Sequence, residues 1–169
     1  PKVVAIKQTL YRTTPDSPLV ESLVSAAKAG KEVTVMIELR ARFDEAANIE
    51  LANKLQEAGA HVVHGVVGYK THCKMLLVVR RENGALRRYV HLSTGNYHPG
   101  TARVYTDYGL FSADEDFGHD IHEVFMQLTS LTKTASLNKL YQSPFSLHKK
   151  LLNLIRRETE SAASGGTGN

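Results

Sequence analysis

The sequence predicts an α/β domain built on a mainly parallel sheet with helices packed on it. Three observations predict it. Residues 1–67 alternate strand, helix, strand, helix, strand, the pattern of parallel strands joined by helical crossovers. An apolar run from Lys74 to Arg81 is joined through Asn83-Gly84 to a second run from Arg87 to Ser93, which reads as a buried strand and its hairpin partner. At 169 residues, with 42% hydrophobic and 22% charged, the chain suits one domain with a full core.

The elements follow in order. Val3 to Leu10 is rich in β-branched and apolar residues and reads as a strand. A turn follows, in which Asp16 or Ser17 can cap a helix and Pro18 suits its first turn. Leu19, Val20, Leu23, Val24 and Ala27 mark one helical face, and Gly30 stops it. Glu32 to Leu39 is a second strand. Asp44 to Ala58 reads as a helix with Ile49, Ala52 and Leu55 on its inner face and Gly59 as C-cap. His61 to Val67 is a third strand. A Gly-Asn-Tyr-His-Pro-Gly loop and a short helical turn near Thr101 lie beyond the hairpin. Thr106 to Ala113 is another strand, and Ile121, Val124, Phe125 and Leu128 form a helical stripe. Thr129 to Ser146 reads as an irregular surface crossing, and Leu147 to Glu160 as a last amphipathic helix. The expected division is a domain over 1–160 and a small, polar tail over 161–169.

Composition bounds the function. Cys73 is the one cysteine, so no internal disulfide can form, which fits a reducing, cytoplasmic setting. No run approaches the roughly 18 apolar residues that cross a bilayer. The opening residues alternate like a strand and lack the features of a signal peptide, so the chain is expected to be part of a longer protein. The net charge of +4 favours an anionic partner.

The chemistry concentrates at Lys70-Thr71-His72-Cys73-Lys74, before the buried strand, and at Ser93-Thr94-Gly95-Asn96, after its partner. Residues two apart on a strand share a face, so His72 and Lys74 are expected side by side. Lys74 lies as far before the Asn83-Gly84 turn as Ser93 lies after it, which brings Thr94, Gly95 and Asn96 back beside the imidazole. An imidazole with an ordinary pKa of roughly 6.5 is largely neutral at pH 7 and can attack phosphorus. A lysine and an amide beside it would stabilise charge on a transferring phosphoryl group. A strand-end His with an ordinary Lys neighbour explains the His-x-Lys pair alone. It does not explain the pair, the hairpin and the Thr-Gly-Asn loop together.

This constellation resembles the phospholipase D superfamily half-motif, in which His-x-Lys is followed by Gly-x-Asn. The Asp five positions after the Lys in that pattern is here Val79. A closer likeness is to bacterial polyphosphate kinase. It is carried by Leu10–Arg12, Val35–Asn48, Lys70–Lys74, Ser93–Tyr97 and Thr101–Tyr108, in the order and spacing of that family. The likeness is to the first of its two phospholipase D-like catalytic domains, so it implies a phospholipase D-like mixed sheet with helices packed on it.

The resemblance also implies roles. His72 would be the phosphohistidine, with Lys74 and Asn96 as its catalytic neighbours. Arg12 and Arg42 would lie at the phosphate–magnesium site. Arginine cannot ligate Mg²⁺, so both are expected as phosphate clamps beside the metal. Tyr105 would contact the nucleotide. ATP or ADP, polyphosphate and Mg²⁺ are the implied ligands, with further domains of the same polypeptide and a homo-oligomer as partners. The implied setting is cytoplasmic, with room for membrane association of the full-length enzyme. A second His is expected from the other catalytic domain, so residues 1–169 alone should be inactive or very weak.

Independent support is uneven. Arg12 and Arg42 follow strand ends, where ligands of parallel sheets bind. Glu38, Asp44 and Asp107 could hold a metal or simply pair with cations. His119 and His122 lie three apart on a helix, which permits metal binding but offers no third ligand. Cys73 should face away from the site, into the core. Two other readings compete: a phospholipase D-like phosphodiesterase completed by homodimerisation, and an anion-binding module without catalysis. Basic residues are not interleaved with aromatics as single-strand binding requires, so no nucleic-acid partner is expected.

Overall fold

A computed structural model describes residues 2–38, 45–66, 68–130 and 136–166. The chain divides into two compact units, Pro1–Ser136 and Leu137–Asn169. The first unit holds strand β1 (Val3–Leu10), helix α1 (Pro18–Lys28), β2 (Glu32–Ile37), α2 (Glu45–Glu57), β3 (His61–His64), β4 (Lys74–Glu82), β5 (Ala85–Ser93), α3 (Pro99–Ala102), β6 (Gly109–Ser112) and α4 (Glu115–Ser130). The second unit contains α5 (Leu147–Ala163), three residues longer at its C-terminus than the sequence suggests. No described helix is long and apolar enough to cross a membrane.

The sheet has six strands in the order β3-β2-β1-β4-β5-β6. Strands β1, β2 and β3 are parallel, and β4, β5 and β6 each pair antiparallel with the preceding neighbour. The sheet is therefore mixed, with two parallel and three antiparallel pairings, rather than mainly parallel, because the crossover half is followed by a hairpin half. Local chemistry sets the boundaries. Ser17 caps α1 by accepting from the Val20 amide at 3.3 Å, with Pro18 at the first helical position. Asn83 and Gly84 both take positive φ, 50° and 83°, which closes the two-residue β4–β5 hairpin.

One face of the sheet packs on α1 and α2. Leu10, Val33, Val35 and Ile37 meet Val20, Leu23, Leu51 and Leu55 there, with Ile6 against them. Residues of the opposite parity face α4. A Cβ added at Gly118 would come within 2.9 Å of Arg88 Cβ, so glycine is what lets α4 lie close to β5. Ile121, Val124 and Phe125 are buried under that helix, as the stripe predicts.

Several expectations change, among them the strand expected over Thr106 to Ala113, which runs only Gly109–Ser112. Ile49 is 53% exposed, and the buried face of α2 is Asn48, Leu51, Ala52 and Leu55. That set has clean helical spacing, but a polar Asn occupies the first core position and hides the frame. The second strand stops at Ile37, with Leu39 outside the described residues. The third ends at His64, with Val67 outside them, and Val66 forms only an isolated bridge to Tyr69.

Candidate functional site

The topology gathers the site at one edge of the sheet. The carboxyl ends of parallel β1, β2 and β3 point the same way. Antiparallel β4 starts there, β5 finishes there and β6 starts there. Tyr11 and Arg12, Glu38, His72 to Lys74, Ser93 to Asn96 and Asp107 all converge on that edge. Lys74 pairs with Ser93 in the hairpin register, as counting from the turn predicts.

His72 lies just before β4 and is exposed, whereas Thr71 and Lys74 on either side are each 6% exposed. The Lys74 ammonium donates to His72 Nε2 at 3.1 Å and to the His72 carbonyl at 2.6 Å. An ammonium has only donors, so Nε2 must present its lone pair and the ring proton sits on Nδ1. Nε2 is thus the ring nitrogen that carries the lone pair. Desolvation, then the charges of Lys74 and Lys70, hold the imidazole pKa below its ordinary value. The ring is neutral at pH 7, the form that can attack. Desolvation lowers the Lys74 pKa too, opposed in part by Asp107.

The backbone beneath the ring is gripped. Thr9 Oγ1 donates to the Cys73 carbonyl at 2.8 Å and accepts from the Met75 amide at 2.9 Å. A hydroxyl thus continues the β1–β4 seam beyond its last backbone partners, Gln8 and Leu76. Glu38, 2% exposed, accepts the Thr71 amide at 2.9 Å. The Tyr11 ring meets the His72 ring edge-on, with centroids 5.0 Å apart. Lys74 Nζ and Arg12 Cζ lie 5.2 and 5.9 Å from the same Tyr11 centroid, inside cation–π range.

The loop after β5 closes the other side. Thr94 Oγ1 donates to Asp107 Oδ1 at 3.1 Å and accepts from the Tyr108 amide at 2.9 Å. The Asp107 side chain lies so tightly over Gly95 that an added Cβ would sit 2.2 Å from Oδ2. Only glycine fits there. Asn96 reaches the same edge, and its Oδ1 is buried with no hydrogen-bond partner among the described residues.

The expected site residues are therefore brought together unequally. His72, Lys74 and Arg12 share the Tyr11 ring, and Asn96 is placed on the same edge without a recorded contact to the imidazole. Tyr105 stands in the turn after α3 and is 67% exposed, so it is not a packing residue. Arg42 and Asp44 lie outside the described residues. Among the described residues no three His, Cys, Asp or Glu side chains cluster to hold a metal, which includes His119 and His122. Cys73 is half-buried, and desolvation pushes its thiol up to about 11, so it is inert at neutral pH.

Thr9, Tyr11 and Asn48 are the participants that sequence reasoning missed. Asn48 Nδ2 donates to the Glu38 carbonyl at 2.9 Å and to the Tyr11 carbonyl at 3.5 Å, which ties the ends of β1 and β2 together. A polar residue on an otherwise apolar helix face was the available signal for Asn48. Tyr11 had only its place beside Arg12, and Thr9 looks like any strand residue.

Known proteins resemble the chain over most of its length. The family profile for polyphosphate kinase C-terminal domain 1 matches residues 1–134. A polyphosphate kinase of Neisseria meningitidis serogroup C is 59% identical over 165 residues, covering 98% of this chain and 24% of that protein. One of Xylella fastidiosa strain 9a5c is 61% identical with the same coverage. The crystal structure of polyphosphate kinase from Porphyromonas gingivalis superposes with a TM-score of 0.86 at 34% identity, covering 98% of this chain and 28% of that one. The chain thus spans about a quarter of the curated relatives it matches.

Proposed function

Because the chain belongs to the polyphosphate kinase C-terminal domain 1 family, we propose that it carries the phosphohistidine half of a site for reversible phosphoryl transfer between ATP and polyphosphate. The observation that carries the proposal is the Lys74 ammonium on His72 Nε2 at 3.1 Å, at a strand edge lined by cations. The Nε2 lone pair attacks the γ-phosphorus of ATP, the bond to the bridging oxygen breaks, and ADP leaves with that electron pair. Nε2 enters unprotonated, so no base has to remove a proton from it. Lys74 keeps its bond to the His72 carbonyl and turns the N–H it held on Nε2 toward the transferring oxygens, which frees the lone pair. In the second step a terminal oxygen of polyphosphate attacks the phosphoimidazole and releases neutral His72.

Arg12, with Arg42 by resemblance, clamps phosphate oxygens. Tyr105, by resemblance, contacts the nucleotide. Mg²⁺ does not fit a cage of this chain's described side chains. Glu38 accepts the Thr71 amide, Asp107 receives Thr94, and Lys74 and Arg12 beside them are cations. The donor set suits phosphate oxygens, so Mg²⁺ is assigned to the substrate phosphates, where it would neutralise charge. A group that protonates the leaving oxygen is assigned to a part of the longer protein outside residues 1–169.

The test is to incubate the full-length protein with γ-labelled ATP and look for acid-labile, alkali-stable label that disappears in His72→Ala. Label on the wild type alone supports the proposal. Unlabelled protein that cleaves phosphodiesters would favour a phospholipase D-like diesterase. Unlabelled protein that only binds polyanions in a salt-sensitive way would leave an anion-binding module.

A further inference from the structure

We propose that Glu38 is the positioning residue of His72: its buried carboxylate holds the Thr71 amide and so fixes the segment that presents the imidazole. The kinetic consequence rests on the phosphoryl-transfer reading, while the placement itself does not. Glu38 follows β2, which is not a sheet neighbour of β4, because β1 lies between them. It can reach Thr71 because β1 ends at Leu10 and leaves a gap at the edge. Its own backbone is tied first. The Glu38 amide donates to the Leu10 carbonyl at 3.1 Å, and its carbonyl accepts from Asn48 at 2.9 Å. The side chain then spans to the Thr71 amide at 2.9 Å.

A carboxylate taken out of water costs several kcal/mol unless hydrogen bonds repay it. An amide–carboxylate bond is the stronger, charge-assisted kind. Its effect on His72 follows from three successive anchors. Glu38 holds the amide of Thr71, Lys74 the carbonyl of His72, and Thr9 the carbonyl of Cys73. Thr71 is buried and His72 is exposed, so the backbone is fixed and the imidazole alone projects. In-line attack tolerates little displacement. A shift of about 1 Å can cost on the order of a hundredfold in rate.

Two substitutions separate placement from charge. Glu38→Gln keeps the length and an acceptor oxygen but removes the charge. Glu38→Asp keeps the charge but shortens the reach by about 1.5 Å. In the full-length protein, Glu38→Asp should slow His72 labelling by about a hundredfold with KM for ATP little changed, and Glu38→Gln should stay within about threefold of wild type. Thr71 amide hydrogen exchange should be slow in the wild type and Glu38→Gln, and fast in Glu38→Asp. Wild-type labelling and exchange in Glu38→Asp would overturn the proposal. So would an equal loss in Glu38→Gln, since charge rather than placement would then be at work. If the wild type itself takes no label, the functional reading fails, and Thr71 exchange alone decides whether Glu38 holds this segment.

Discussion

Both ends of the β4–β5 hairpin carry basic residues and put them to opposite uses. Around the turn, Arg80, Arg81, Arg87 and Arg88 crowd together, and Arg80 stands directly opposite Arg87 in the register. That repulsion is absorbed locally. Arg80 Nε pairs with Glu82 at 3.1 Å, Tyr89 donates to the same carboxylate at 3.0 Å, and both Arg80 and Arg87 lie 5.5 Å from the Tyr89 ring. At the other end Lys74 is buried, and it donates to the His72 ring and to that residue's own carbonyl. Counting basic residues favours the turn, with four arginines against Lys74. Burial reverses that ranking, because a desolvated cation acts strongly on what it touches, whereas a hydrated one is screened.

The comparison can be broken at either end. The largest expected effect is at the buried end. Lys74→Met should cut the rate of His72 labelling by about 10²–10³-fold, measured by single-turnover quench, since it removes a preorganised donor to the transferring oxygens. The same substitution should shift the pH profile. In the proposed reaction the neutral imidazole attacks, so the rate should hold above its depressed pKa and fall as pH drops through it. Removing Lys74 removes one cause of that depression and moves the acidic limb to higher pH, toward the ordinary value of roughly 6.5. Stability has the same sign. Between the folded and unfolded pKa values the unfolded chain binds more protons, so what His72 contributes is present at neutral pH and lost on acidification.

Smaller effects follow. Asn48→Leu strands the Glu38 and Tyr11 carbonyls and should lower stability by about 1–3 kcal/mol in urea denaturation. Exposed Arg87→Gln at the turn should change stability by no more than about 0.5 kcal/mol and leave labelling alone. A tenfold loss of labelling there would dissolve the contrast between the ends. Cys73 is the finest probe. With its thiol at about 11, it should react with iodoacetamide at pH 8 far more slowly than a free thiol. Rapid alkylation would mean that the start of β4 is more open than described.

The sequence made much of the frame legible for identifiable reasons. Asn83-Gly84 fixed the turn, and the turn fixed Lys74 opposite Ser93, because hairpin register is set by loop geometry. Ser17-Pro18 marked the start of α1. The supports of the site were hidden because they are polar side chains in apolar positions. Asn48 takes a core place on α2, so reading only hydrophobic residues shifted the helix face onto exposed Ile49. Thr9 bonds the start of β4, three strands on in chain order, through a residue type common in any strand. Glu38 looked like a metal ligand or a salt-bridge partner until Thr71, 33 residues on, arrived at its carboxylate. Such contacts depend on tertiary closure and leave no periodic trace.

The most direct test of the central claim is to find the atom that receives phosphorus. The full-length protein, ¹⁵N-labelled in histidine and phosphorylated from ATP, should show a one-bond ³¹P–¹⁵N coupling to Nε2 of His72, absent in His72→Ala. A coupling at another histidine, or phosphorus bound only to oxygen, would contradict it.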